Sequence, residues 1–234
     1  MRGFILSLFF HVPINAALWF YLDDLLILCG QDPQASQHAL TWYRFNVWSL
    51  HFYSLYQIIW KFLSSQNVMA PLFYVCLFCC LIILPVSLEV FVEMFGYVGS
   101  AVAFTTFHAS QTILISLYLW WFQPHHPSTW TGFLWDNALK ASRVREYLRL
   151  GAGGIMAQTE WVYWEAVGLI VGTLDVTELS AHTIANQVMM IMFSTPYGVG
   201  VALSIRMGAI LPFNVKKAKY LATGTVFVVT IFLG

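Results

Sequence analysis

GAGGIMAQTEWVYWEAVGLIVGT, residues 151–173, is the stretch whose reading decides the class of this chain. It is apolar over a length that, at about 1.5 Å per residue, crosses about 30 Å of hydrocarbon. Yet it carries Glu160 and Glu165. Glu160 falls about 18 Å along the segment that opens at residue 148, near a bilayer midplane, and Glu165 lies about one and a half turns further. A charge in hydrocarbon costs on the order of 3 kcal/mol, so an acid at that depth faces protein or a water-filled cavity and commonly carries protons. The plain alternative is a neutral carboxylic acid hydrogen-bonded between helices. Five residues correspond to about 140° around a helix, so at most one of the two points squarely into any single cavity. Trp161, Tyr163 and Trp164 offer aromatic faces suited to an organic cation, and equally to ordinary packing.

The rest of the 234-residue chain has the same character: 59% hydrophobic and 9% charged, with eleven basic and eleven acidic residues. Its mean hydropathy is +0.70. A soluble domain carries about 25% charged residues to wet its surface, so most of this surface faces lipid. The balanced charge and the lack of a basic tract argue against nucleic acid as a partner. Apolar runs separated by turn-forming clusters predict seven helical spans, at 4–28, 39–63, 70–92, 96–122, 148–173, 179–210 and 218–234. The expected fold is therefore an all-α membrane protein. Gly30-Gln31-Asp32-Pro33 and Ser64-Ser65-Gln66-Asn67 are turns, and Gln123-Pro124-His125-His126-Pro127 opens the one long loop, 124–147. That loop separates a first part, 1–123, from a second, 148–234.

If the spans alternate, Arg2, Lys61, Lys140, Arg143, Arg145, Arg149, Arg206, Lys216, Lys217 and Lys219 fall on one side, leaving only Arg44 opposite. Basic residues in short loops mark the cytoplasmic face, which places the N-terminus and the 124–147 loop inside. Arg2 followed by apolar Phe4–Phe10 also fits a signal peptide, but the apolar run continues to Leu28 and cleavage would destroy the alternation. Cys29, Cys76, Cys79 and Cys80 all lie in apolar runs and read as core thiols, with no second Cys pair to complete a metal site. The sixth span carries Pro196-Tyr197-Gly198-Val199-Gly200. Its proline removes an intrahelical hydrogen bond, and Pro196, Gly198 and Gly200 form the expected hinge of a helix lining a substrate path. His182, Asn186, Gln187, His108 and Gln111 are expected to make interhelical hydrogen bonds; Asn186 and Gln187, with Tyr197, are also candidates for the cavity wall.

From Tyr147 onward the chain resembles the multidrug and toxin extrusion (MATE) family in its eukaryotic branch. The resemblance rests on YLRLGAGGIMAQTEWVYWEAVGLIVGTL, then ELSAHTIANQ, then PYGVGVALSIRMG. Upstream, GQDPQAS, Tyr43-Arg44, KFLSSQNVMAP, the run Phe95–Ala101 and Trp130-Thr131-Gly132-Phe133 follow the family pattern in order. The resemblance implies a two-lobe, twelve-helix antiporter exporting organic cations, drugs or metabolites in exchange for protons, with sodium as the other coupling ion. In that register the chain is an internal piece, from the third span to the ninth. Glu160 matches the family's seventh-span glutamate implicated in proton coupling, and Glu165 its companion. Gln187 stands where animal relatives place a third glutamate, and the family's tenth-span acid lies outside the chain. LSSQN and Leu211-Pro212 also depart from the usual wording.

The competing class is a seven-helix receptor or other membrane-embedded binding protein. A retinal protein needs a mid-span lysine, and Lys216, Lys217 and Lys219 sit at the entrance of the last span instead. No nucleophile and base show a spacing that argues for an intramembrane enzyme, and no motif calls for a cofactor or a metal. The expectation is a multi-pass transporter of the plasma or vacuolar membrane.

Overall fold

The computed structural model describes residues 2–125, 129, 140–157 and 159–233; the Trp130–Phe133 motif lies outside them. All its elements are helical: α1 Arg2–Leu28, α2 Pro33–Ser65, α3 Ala70–Phe78, a π-helical turn Cys79–Ile83, α4 Leu84–Phe95, α5 Tyr97–Phe122, α6 Ala141–Ala157, α7 Thr159–Gly172, α8 Val176–Ile210 and α9 Val215–Leu233. The chain divides into two compact units, up to Val176 and from Thr177.

Each boundary has a local cause. Asp32 caps α2 by accepting a hydrogen bond from the Ala35 amide at 2.8 Å, with Pro33 pre-set in the first helical turn. The third span runs without interruption from Ala70 to Phe95, although Pro85 has no N–H to give. Just before that proline the Leu84 N–H reaches back to the Cys79 carbonyl, a five-residue step, and the π-helical turn absorbs the mismatch.

Helix directions follow from the side chains that cross between helices. Tyr43 donates to Asn15 at 2.7 Å and Arg44 to the Trp19 carbonyl at 3.1 Å, while His51 meets His11, so α1 and α2 run antiparallel. Trp42 donates to Ser100 at 2.8 Å, Thr105 to the Phe45 carbonyl at 3.2 Å and Thr112 to the Phe52 carbonyl at 2.8 Å. Residue numbers rise together in that ladder, so α2 and α5 are parallel, with α3–α4 returning between them. These are the relative directions that alternating spans require.

Four helices are long and apolar enough to cross a membrane by length and composition: Ile5–Leu28, Ala70–Phe95, Tyr97–Phe122 and Val176–Ile210. The span expected at 39–63 is α2, which is less apolar because it packs against both α1 and α5 and buries Ser36, Asn46, Ser49 and Ser64 there. A helix screened from lipid by its neighbours can carry hydroxyls and amides that a lipid-facing helix cannot. At one end of this bundle Tyr56, Leu63, Leu72 and Ile115 form the apolar core, flanked by Ile59, Trp60 and Val75. Outward, large apolar side chains stand open, among them Leu150 at 74% and Trp121 at 75% exposure, a surface that belongs against hydrocarbon.

Two expectations need correction. Cys79 alone of the four cysteines is buried; Cys29 and Cys80 are exposed and Cys76 half-buried, because the apolar runs that hold them turn one face outward. His108 and Gln111 bond to each other along α5, at 3.3 Å, rather than between helices, and His108 reaches α2 only through its ring, 5.1 Å from that of Tyr53.

Thr112 shares its hydroxyl between Phe52 on α2 and His108 on its own helix. Thr112→Val keeps the shape and removes the donor. It is expected to cost about 0.5–1 kcal/mol in reversible unfolding from bicelles, with Thr112→Ser close to the original value. An unchanged Thr112→Val would show that the ladder adds no stability.

Candidate functional site

The expected fifth span is covered by the end of α6 and by α7, on either side of Gln158, which is not among the described residues. α7 holds Glu160, Trp161, Tyr163, Trp164 and Glu165. Its packed stripe is Trp161, Trp164, Val167, Gly168, Val171 and Gly172, all buried or half-buried at helical spacing. Glu160 lies about 60° from the middle of that stripe and Glu165 about 80°, on the opposite flank. Both carboxylates are exposed. The rings of Tyr163 and Trp164 meet edge to face at 5.5 Å.

The far end of α7 is docked onto the α1–α2 turn. Gln31 donates its side-chain amide to the Leu169 carbonyl at 2.8 Å, and a Cβ on Gly30 would lie 3.2 Å from the Thr173 methyl. Gly172 makes the approach possible: a Cβ there would strike the Gln31 amide. This contact joins the end of α7 to the end of α1, the two points that the charge alternation puts on one face of the membrane. It also holds the carboxylate-bearing helix in rotation, one to two turns from Glu165.

In the second unit, α8 runs unbroken through Pro196, Gly198 and Gly200, the positions of the expected hinge. Asn186 and Tyr197 project about 20° apart along this helix, so they share a face, with Gln187 about 80° from Tyr197. Asn186 is half-buried, its carbonyl oxygen without a hydrogen-bond partner, and Gln187 is exposed. The Tyr197 ring lies 6.1 Å from that of Phe193. Among the described residues, no three metal-ligating side chains stand close enough to hold an ion.

The structure brings together a half-buried polar seam between α1 and α2 that neither span shows on its own. It comprises His11 and Asn15, one turn apart on α1, facing Tyr43 and His51 two turns apart on α2. The four-residue and eight-residue spacings were legible, but neither span's apolar average shows that both polar stripes turn toward each other.

A model of the MatE family matches residues 1–88 and 154–234. The chain belongs to the MatE family. That is the family which the motifs after Tyr147 resemble. It is similar to multidrug and toxin extrusion protein 1 of Xenopus tropicalis, 30% identical over 218 residues, covering 88% of this chain and 36% of the relative. Multidrug and toxin extrusion protein 2 of Mus musculus is 28% identical over 209 residues, covering 88% and 36%. Protein DETOXIFICATION 17 of Arabidopsis thaliana is 29% identical over 246 residues, covering 99% and 50%. The chain thus spans half or less of the length of these relatives. No solved structure matches it.

Proposed function

We propose that this chain is part of a secondary antiporter that exports organic cations, drugs or metabolites in exchange for protons, or for sodium. The observation that carries the reading is the pair of carboxylates Glu160 and Glu165 on an apolar, aromatic-rich helix of a MatE-family chain. Hydrocarbon does not tolerate an uncovered carboxylate, so each of these needs protein or water over it in the membrane. An acid at the edge of a packed face, beside tryptophans, has what an exchange site requires: it attracts a cation when ionised and releases it when a proton takes its place. Asn186, Gln187 and Tyr197 on α8 are assigned to the substrate path, and Pro196, Gly198 and Gly200 to its hinge. In this reading residues 1–123 belong to one lobe, 124–147 form the cytoplasmic connection and 148–234 open the second lobe. The protein resides in the plasma or vacuolar membrane with its N-terminus inside.

Sidedness is tested by cysteines placed at Gln34 and Ala141 after the four native cysteines are replaced. Gln34→Cys is expected to react with an impermeant maleimide on intact cells, and Ala141→Cys only after permeabilisation. Equal labelling of both would refute the orientation. Transport is tested by loading vesicles containing the chain, joined to the flanking segments of a longer relative, with a fluorescent organic cation. Efflux should follow an imposed pH gradient and cease when a protonophore collapses it. Efflux indifferent to both pH and sodium gradients would sink the antiport reading.

A further inference from the structure

We propose that His11 and His51 form a proton-binding site at the α1–α2 seam, separate from the carboxylates of α7. The two rings stand edge to face with centroids 5.0 Å apart, and the Trp48 ring lies 5.9 Å from that of His51. His51 Nδ1 sits 2.8 Å from the Val47 carbonyl oxygen. A carbonyl only accepts, so Nδ1 carries the hydrogen, and in the neutral ring Nε2 is then the basic nitrogen. Across the seam, His11 Nε2 is buried with no hydrogen-bond partner. The same holds for the Asn15 amide nitrogen one turn along, whose oxygen accepts from Tyr43. Buried polar atoms without partners oppose folding, and two on one face of one helix, against a second imidazole, call for a reason beyond packing. A cavity of about 320 Å³, lined by Ser7, Phe10, His11, Ile14, Tyr147 and Leu148, leads to the His11 ring from the side of α6.

The groups around the pair decide how it binds protons. From α2 come Tyr43, Arg44 and His51 itself, from α6 Tyr147, and from α1 Ser7 and Asn15. Arg44 is committed to the Trp19 carbonyl, two turns further along α1. Among the described residues no acid is placed against either ring: on α6 the exposed Glu146 adjoins Tyr147, and the first acid along α1 is Asp23. A proton here is therefore not held by an anion. It rests on a nitrogen of one ring beside a second basic ring, and once bound it opposes a second, so the rings are coupled. Binding makes one N–H bond with a proton from the aqueous phase and breaks no bond in the protein. The site does not depend on the antiport reading; within it, the seam supplies a further exchangeable proton.

The test is a titration of the ¹³C-histidine-labelled chain in lipid nanodiscs, followed by NMR between about pH 4 and pH 9, on either side of the usual histidine range. His11→Gln and His51→Gln assign the two signals. The two rings are expected to take up protons in steps separated by about tenfold or more in proton concentration, the mark of coupled sites. Removing either ring should merge the other's titration into one step. Rings that titrate together in a single step, or that do not move over the whole range, would overturn the proposal. His11→Asn and His51→Asn repeat the assignment and the one-step test should a Gln variant fail to fold. None of these readings involves Glu160, so the outcome is separate from that of the transport experiments.

Discussion

Glu160→Gln, in the chain joined to its relatives' flanking segments, is expected to reduce pH-gradient-driven efflux of an organic cation by about a hundredfold or more. A two-state cavity that swings nearly completely between its forms needs about a 10⁴-fold difference in affinity of its ligand for the two states. When the ligand is a proton, that difference must reside in the group that binds it. An amide has the size and hydrogen-bonding reach of the protonated acid but cannot ionise, so it fixes one state. Folding should survive, because Glu160 is exposed and outside the packed stripe of Trp161, Trp164, Val167, Gly168, Val171 and Gly172. Glu165→Gln, on the other flank and further from that stripe, should lower efflux by about tenfold at most. The measurement is initial efflux rate normalised to surface abundance. Normal transport by Glu160→Gln, or a loss that tracks degradation, would show that the residue is a structural hydrogen-bonder.

Much of this organisation is legible in the sequence because lipid imposes a simple rule: segment length and charge side decide the path. The α1, α3–α4, α5 and α8 segments follow it closely, since long apolar side chains dominate their outward faces. α2 is the instructive case. Trp42, Tyr43, His51, Tyr53 and Trp60 lower a hydropathy average, so the helix that packs against both α1 and α5 is less apolar than either of them. Its span was found from its flanking turns instead. The Gln31–Leu169 contact and the His11–His51 seam were not legible, because each joins residues whose separation along the chain carries no periodic signal. The two glutamates were legible as chemistry, since nothing else in the middle of a span carries charge. Their angular positions relative to the packed stripe needed the structure.

The largest expected effect on folding lies at Gly99. The turn between α4 and α5 is a single residue, Gly96, at φ 62 and ψ −143, a backbone region open to glycine and costly for other residues. So tight a reversal brings the first turn of α5 onto the last turns of α4, and a Cβ at Gly99 would strike the Phe91 carbonyl. Backbone atoms cannot rotate away as a side-chain tip does, so the added carbon must pry the two helices apart. Gly99→Ala is therefore expected to cost about 2–3 kcal/mol, the upper range for overpacking, and Gly99→Leu more, to the point that little dispersed protein accumulates. Gly208→Ala is the control. It adds the same methyl group where nothing lies within 4 Å, and helix propensity alone makes it neutral or stabilising by up to about 1 kcal/mol. Thermal melting of detergent-solubilised protein, read by size-exclusion fluorescence, orders the three. A Gly99→Leu midpoint matching that of Gly208→Ala would mean that α4 and α5 do not meet at Phe91, and with that contact the antiparallel return between α2 and α5 would lose its tightest joint.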